Sequence, residues 1–169
     1  QAVLQLEGAQ VFLLDTPGHV DFSSEMERTL QVLDYAILVI NGSDGVQSHT
    51  RTLWRLLERY GIPVFLFVNK MDLPGTDSGR LLRELKNKLS TSCVDFTVPE
   101  EDRLEDMAVC DEAVLAEFLE HETVQKSEMI RMIGERRLFP VYFGSALRLR
   151  GVRELLRGVE QYPREKVYP

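Results

Sequence analysis

Four short, nearly unbroken apolar runs constrain this chain more than any other feature: Val11 to Leu14, Ala36 to Ile40, Val64 to Val68 and Phe139 to Phe143. Runs of this length between turn residues are how strands covered on both faces appear. Between them, apolar residues recur at helical spacing. Phe22, Met26, Leu30 and Leu33 stand behind a Ser24-x-x-Glu27 capping box, and Leu53, Leu56, Leu57 and Tyr60 form a stripe that stops at Gly61. A third stripe, Leu81, Leu82, Leu85 and Leu89, has Asp77 placed to cap it. Strands alternating with helices predict parallel βαβ units with right-handed crossovers and helices on both faces of a mostly parallel sheet. The fold class is therefore α/β. Gln1 to Leu6, followed by a turn at Gly8, reads as the first arm of an antiparallel hairpin. From Thr91 to Gly134 the chain turns acidic and polar, with two short helical patterns, Val114, Leu115, Phe118, Leu119 and Met129, Ile130, Ile133. That stretch reads as an insertion on the α/β core.

The 169 residues suit one domain with a real core. The apolar runs fall far short of the ~20 residues of a membrane-spanning helix, and Gln1 to Leu6 has neither the basic leader nor the long apolar stretch of a signal peptide. Cys93 and Cys110 form no CxxC pair, which predicts reduced thiols and a cytoplasmic setting. A net charge of −7 argues against non-specific attraction to nucleic acid, whose affinity comes from phosphates neutralised by Lys and Arg. The one basic cluster, Arg148, Arg150, Arg153 and Arg157 with Arg136 and Arg137 upstream, reads as a solvated helix face.

In open α/β sheets ligands bind at the carboxyl ends of the strands, which directs attention to the residues just after each apolar run. After the first comes Asp15-Thr16-Pro17-Gly18-His19, after the third Asn69-Lys70-Met71-Asp72, and after the fourth Gly144-Ser145-Ala146-Leu147. An ionised carboxylate only accepts hydrogen bonds, so Asp72 suits the ring N–H and exocyclic amine of guanine, a pair adenine does not present. Asn69 would tie neighbouring loops together, and the aliphatic stem of Lys70 would lie over the base. The N–H groups of Ser145 and Ala146 would meet the guanine carbonyl, which demands a small side chain at Ala146. In the first segment Gly18 lets a backbone N–H approach a terminal phosphate closely. Asp15 suits either a helix cap or a water on Mg²⁺, and His19 would orient an attacking water. His49 and His121 read as surface residues.

Together, Asp15-Thr16-Pro17-Gly18-His19-Val20-Asp21-Phe22, the Asn69 to Asp72 loop and Gly144 to Leu147, in this order through strand and helix, resemble the GTPase domain of elongation factor G and its relatives. The resemblance covers nearly the whole chain. Within that family, Asp44-Gly45-Val46-Gln47-Ser48-His49-Thr50-Arg51, the compact insertion and Leu138 to Ala146 are most similar to the ribosomal-protection class that confers tetracycline resistance. The resemblance implies a P-loop-type GTPase fold, GTP or GDP with Mg²⁺ as ligands and the ribosome as partner. It also implies Asp15, Pro17, Gly18, Asn69, Lys70, Asp72, Ser145, Ala146 and Leu147 as nucleotide-site residues, and His19 as the catalytic one. Elongation factor G shares these motifs, so a translocation factor is the alternative.

The same resemblance implies a G-x-x-x-x-G-K-[ST] phosphate loop and a switch threonine, and this sequence contains no Gly-Lys pair. The chain is therefore expected to be a truncated GTP-binding domain lacking its first strand, inactive alone, with a silent binding module as a further alternative. A missing strand between Val11 to Leu14 and Ala36 to Ile40 would leave two open edges. Their direct pairing, strand exchange or poor solubility is the expected consequence. An adenine-nucleotide enzyme would explain the strands but leave Asp72 and its relation to Ser145 and Ala146 as coincidence.

Overall fold

The structure, a computed structural model, describes residues 2–16 and 24–163. Its centre is a four-stranded, wholly parallel sheet in the order β3 (Ala36–Asn41), β4 (Val64–Asn69), β6 (Phe139–Phe143), β5 (Cys93–Asp95). Helices α1 (Ser24–Val32), α2 (Ser48–Arg59) and α3 (Ser78–Lys88) occur among the first strands, and α4 (Glu100–Ala108), α5 (Glu112–His121) and α6 (Lys126–Gly134) lie between β5 and β6. The last helix, α7, is Val152–Gln161. The expected α/β class with a parallel sheet is what forms.

β4 shows why both faces are covered. Its side chains alternate: Val64, Leu66 and Val68 enter one core with Leu38, Ile40, Trp54, Leu57, Leu81 and Leu85, beneath α2 and α3. Phe65 and Phe67 enter the other, with Met107, Val114, Met132, Ile133 and Leu155 from α4 to α7. A period of two along one strand thus feeds two separate helix layers. Asp77 caps α3 as expected, accepting a hydrogen bond from the Arg80 N–H at 2.6 Å. Gly61, at φ +64°, ends the α2 turn as its stripe predicts. The Ser24 side chain of the expected capping box, like Phe22, lies outside the described residues.

Three expectations need correction. First, β2 (Gln10–Leu13) is not covered on both faces and does not join the parallel sheet. It pairs antiparallel with β1 (Ala2–Gln5) as the expected hairpin, with Val3 and Phe12 more than half exposed. Direct pairing of this strand with β3 is absent among the described residues. The hairpin is instead tethered at its turn, where the Gly8 N–H donates to Glu160 of α7 at 2.7 Å. Second, the stretch from Thr91 begins with a strand of the sheet, because Cys93–Asp95 pairs with Phe139, Pro140 and Val141. The helical addition starts at Glu100 and holds three helices rather than two. A three-residue strand gives too little alternation to be seen in sequence.

Third, of the upstream arginines Arg136 is not solvated, while Arg137 is exposed but paired. Arg136 lies 5.1 Å over the Trp54 ring and 5.0 Å over Phe139 and donates to the Ile62 carbonyl, and burial lowers its pKa. Arg137 and Arg131 converge on Asp111 at 2.8 and 3.2 Å. Asp111 also caps α5 by accepting from Ala113 and Val114. Burial alone would raise its pKa, but the Val114 N–H and the two guanidiniums outweigh that and bring it to about 2. Downstream, Arg148, Arg150, Arg153 and Arg157 are exposed.

Candidate functional site

β4 and β6 are adjacent strands, buried except at Asn69, and the loops that leave their carboxyl ends meet. The Asn69 side-chain oxygen accepts from its neighbour Lys70 at 2.8 Å and, across 77 positions of sequence, from the Ala146 N–H at 2.9 Å. The Asn69 carbonyl takes the Gly42 N–H from the loop after β3 at 2.8 Å, and the Met71 N–H donates to the Gly144 carbonyl at 3.0 Å. One asparagine therefore joins three loops. Lys70 is exposed and held at φ +63°, a left-handed conformation uncommon outside glycine, so Asn69 and Lys70 form a tight corner rather than an extended exit.

The second loop closes on itself. Ser145 and Arg150 exchange both backbone hydrogen bonds, each 3.0 Å, and Gly144 and Gly151 make this closure sterically feasible. A Cβ on Gly144 would collide with the Arg150 carbonyl oxygen. One on Gly151, at φ +76°, would stand 2.7 Å from the Phe143 oxygen. The loop consequently presents Ala146 and Leu147 outward, Leu147 being 92% exposed.

Asp72 lies between these loops. The Ser145 hydroxyl, a buried group, hydrogen-bonds its carboxylate, and Arg148 approaches Oδ2 at 3.2 Å. Those contacts, Ser145 foremost, hold the carboxyl below its usual pKa. It is thus an ionised, oriented acceptor at neutral pH. Further along the same rim, the Glu84 carboxylate of α3 takes the Val46 N–H at 3.0 Å and Lys88 at 2.8 Å, fastening the loop after β3.

The structure brings Asn69, Lys70, Asp72, Ser145, Ala146 and Leu147 to one place. It amends the expected donors, because the Ser145 N–H is already used by Arg150 and the Ala146 N–H by Asn69. A carbonyl of a bound base would have to share the Ala146 donor. Asp15 is exposed just beyond β2, in the hairpin rather than at the end of a strand of the four-stranded sheet. Pro17, Gly18 and His19 lie outside the described residues. His49 and His121 are exposed. Among the described residues no group of three His, Cys, Asp or Glu side chains could hold a metal ion by itself. A lone carboxylate such as Asp15 fits Mg²⁺ only in the manner usual for that ion, with water and substrate phosphates as the other ligands. Sequence reasoning missed Arg148, which it left on a solvated face. The glycine pair bracketing residues 145–150 was the available signal that this segment folds back on Asp72.

The chain is thus an α/β domain in which the carboxyl-end loops of two parallel strands converge on an oriented carboxylate and a small outward residue. The elongation factor Tu GTP-binding domain family matches residues 1–165, and the chain belongs to it. It is 36% identical to the oxytetracycline resistance protein of Streptomyces rimosus, covering 95% of this chain and 28% of that protein. It is 30% identical to elongation factor G of Ureaplasma parvum, over 92% of this chain and 30% of the relative. A crystal structure of a Thermus thermophilus protein superposes with a TM-score of 0.79 at 26% identity, over 97% of this chain and 32% of that one. The chain thus spans less than a third of the length of these relatives.

Proposed function

We propose that this chain reads the guanine base for a translational GTPase that acts on the ribosome in the cytoplasm, of the ribosomal-protection type associated with tetracycline resistance. The observation that supports it most is the convergence of Asp72 with the Asn69–Ala146 bridge at the ends of β4 and β6. Asp72 accepts the ring N–H and amine of guanine, the Lys70 stem and Leu147 cover the ring, and Ala146 leaves room for the base carbonyl. Asp15 would contact Mg²⁺ through water, and the ion would supply neutralisation of phosphate charge. Pro17 and Gly18 keep the terminal-phosphate role, and His19 the water-orienting role, that the sequence motif implies.

The preference for the protection type over a translocation factor rests on the 36% identity to the oxytetracycline resistance protein against 30% to elongation factor G. Phosphate binding and hydrolysis need a Gly-Lys-[ST] loop that these 169 residues do not contain, so this chain alone reads the base without turning over GTP. The test is ribosome-stimulated GTP hydrolysis by the protein that carries this domain together with a phosphate loop. His19→Ala should lower turnover more than nucleotide affinity. Equal losses in both, or hydrolysis indifferent to ribosomes, would overturn the reading.

A further inference from the structure

Arg148 sits where the guanine edge is expected. Its backbone is anchored by the turn that closes on Ser145, with the Arg148 N–H on the Ser145 carbonyl at 3.2 Å and Leu149 on Ala146 at 3.1 Å. From there the side chain turns back to Asp72, its Nε 3.2 Å from Oδ2. The arrangement is one-sided. The Asp72 side chain is only 16% exposed, resting on buried Ser145, while Arg148 outside it is 66% exposed. What covers the carboxylate from solvent is therefore a mobile type of side chain that water can replace, not a packed one.

The chemistry of the two occupants is the same. The edge of guanine that a carboxylate recognises is a ring N–H and an amine on one carbon, which is itself a guanidine unit. Arginine offers the same planar set of donors. We infer that Arg148 is an internal stand-in for guanine, holding Asp72 while the site is empty and leaving when the base arrives. The inference rests on the guanine reading of Asp72 given above. Its consequences are that the empty site keeps its carboxylate aimed, and that the base must displace Arg148 before it binds. An exposed pair of this kind is populated only a few-fold over its open form, so displacement lowers apparent affinity by about two- to fivefold.

The experiment is a titration of the 169-residue chain with GMP, IMP and AMP at millimolar concentration, followed by the amide resonances of Ala146 and Leu147. Wild type is compared with Arg148→Met, which keeps the stem, and Arg148→Lys, which keeps the charge. The phosphate contribution is common to all three ligands and cancels. The stand-in role predicts that Arg148→Met binds GMP about two- to fivefold more tightly than wild type, with the same factor for IMP, whose ring N–H also needs the freed carboxylate, and no gain for AMP. The gain should shrink in high salt, which screens the ion pair. Arg148→Lys should fall between the two. GMP binding that is unchanged or weaker in Arg148→Met, with guanine still preferred over adenine, would overturn the stand-in and leave the guanine reading in place. Indifference of all three proteins to the identity of the base would overturn both.

Discussion

Replacing Asn69 by alanine removes a side chain that joins the loops after β4 and β6 through the Ala146 backbone. Two hydrogen bonds vanish, to the N–H groups of Lys70 and Ala146, while the Asn69 carbonyl can still receive Gly42. A typical intramolecular hydrogen bond contributes about 1 kcal/mol net, and a donor left buried without a partner costs more. Here Lys70 and Ala146 are both exposed, so water can replace the lost acceptor, which places the total at the lower end, about 1–2 kcal/mol. Lys70 adds to this, because its left-handed backbone at φ +63° is held partly by the bond that is removed. Urea unfolding reads the stability loss. Hydrogen exchange at the Ala146 amide reads the local one, and should quicken by about fivefold or more. Asn69→Asp is the control, since a carboxylate oxygen still accepts both donors and should keep most of the protection. Unchanged exchange at Ala146 in Asn69→Ala, or equal losses in both variants, would refute the idea that this side chain holds the site together.

Asp111→Ala removes a helix cap and leaves Arg131 and Arg137 without their shared carboxylate, and should destabilise the fold by about 2–4 kcal/mol in urea unfolding. Because the folded pKa of Asp111 is depressed to about 2, its stabilisation is complete above the unfolded carboxylate pKa and disappears as pH falls from there through about 2. The acid-unfolding curve of Asp111→Ala should accordingly be flatter over that window than that of wild type. Gly144→Ala would drive a methyl into the Arg150 carbonyl, a backbone atom that cannot step aside, and should cost about 2–3 kcal/mol and disperse the Ser145 and Arg150 amide signals. Arg136→Ala strips a half-buried guanidinium from Trp54 and Phe139 and frees the Ile62 carbonyl, and should lower stability by roughly 1–3 kcal/mol with a change in Trp54 fluorescence.

The parallel sheet and its helices were legible because β4 and β6 are buried on both faces and leave unbroken apolar runs, and because α2 and α3 carry long one-sided stripes. The hairpin was legible in pairing but not in burial. Val11 to Leu14 is as apolar as a core strand, yet among the described residues β2 pairs with β1 alone, and nothing local in four residues encodes which edge a strand joins. β5 was too short to show a period. The site was legible where side-chain chemistry is specific: Asn69, Asp72 and Ala146 were each singled out, and the structure brings them together. What stayed hidden was relational. Arg136 and Arg148 look like ordinary surface arginines until the fold sets one against Trp54 and the other against Asp72.

The most direct test of guanine reading by Asp72 exchanges the base rather than the protein's fold. Xanthine carries a carbonyl where guanine carries its amine, so an Asn at position 72 can donate where Asp72 must accept. The affinities of GDP, XDP and ADP should be compared for the wild-type chain and Asp72→Asn in the presence of Mg²⁺. Wild type should prefer GDP over both others, and Asp72→Asn should prefer XDP. Equal affinity of the wild-type chain for GDP and ADP, or a preference for GDP that survives Asp72→Asn, would contradict the assignment of Asp72 as the group that reads the base.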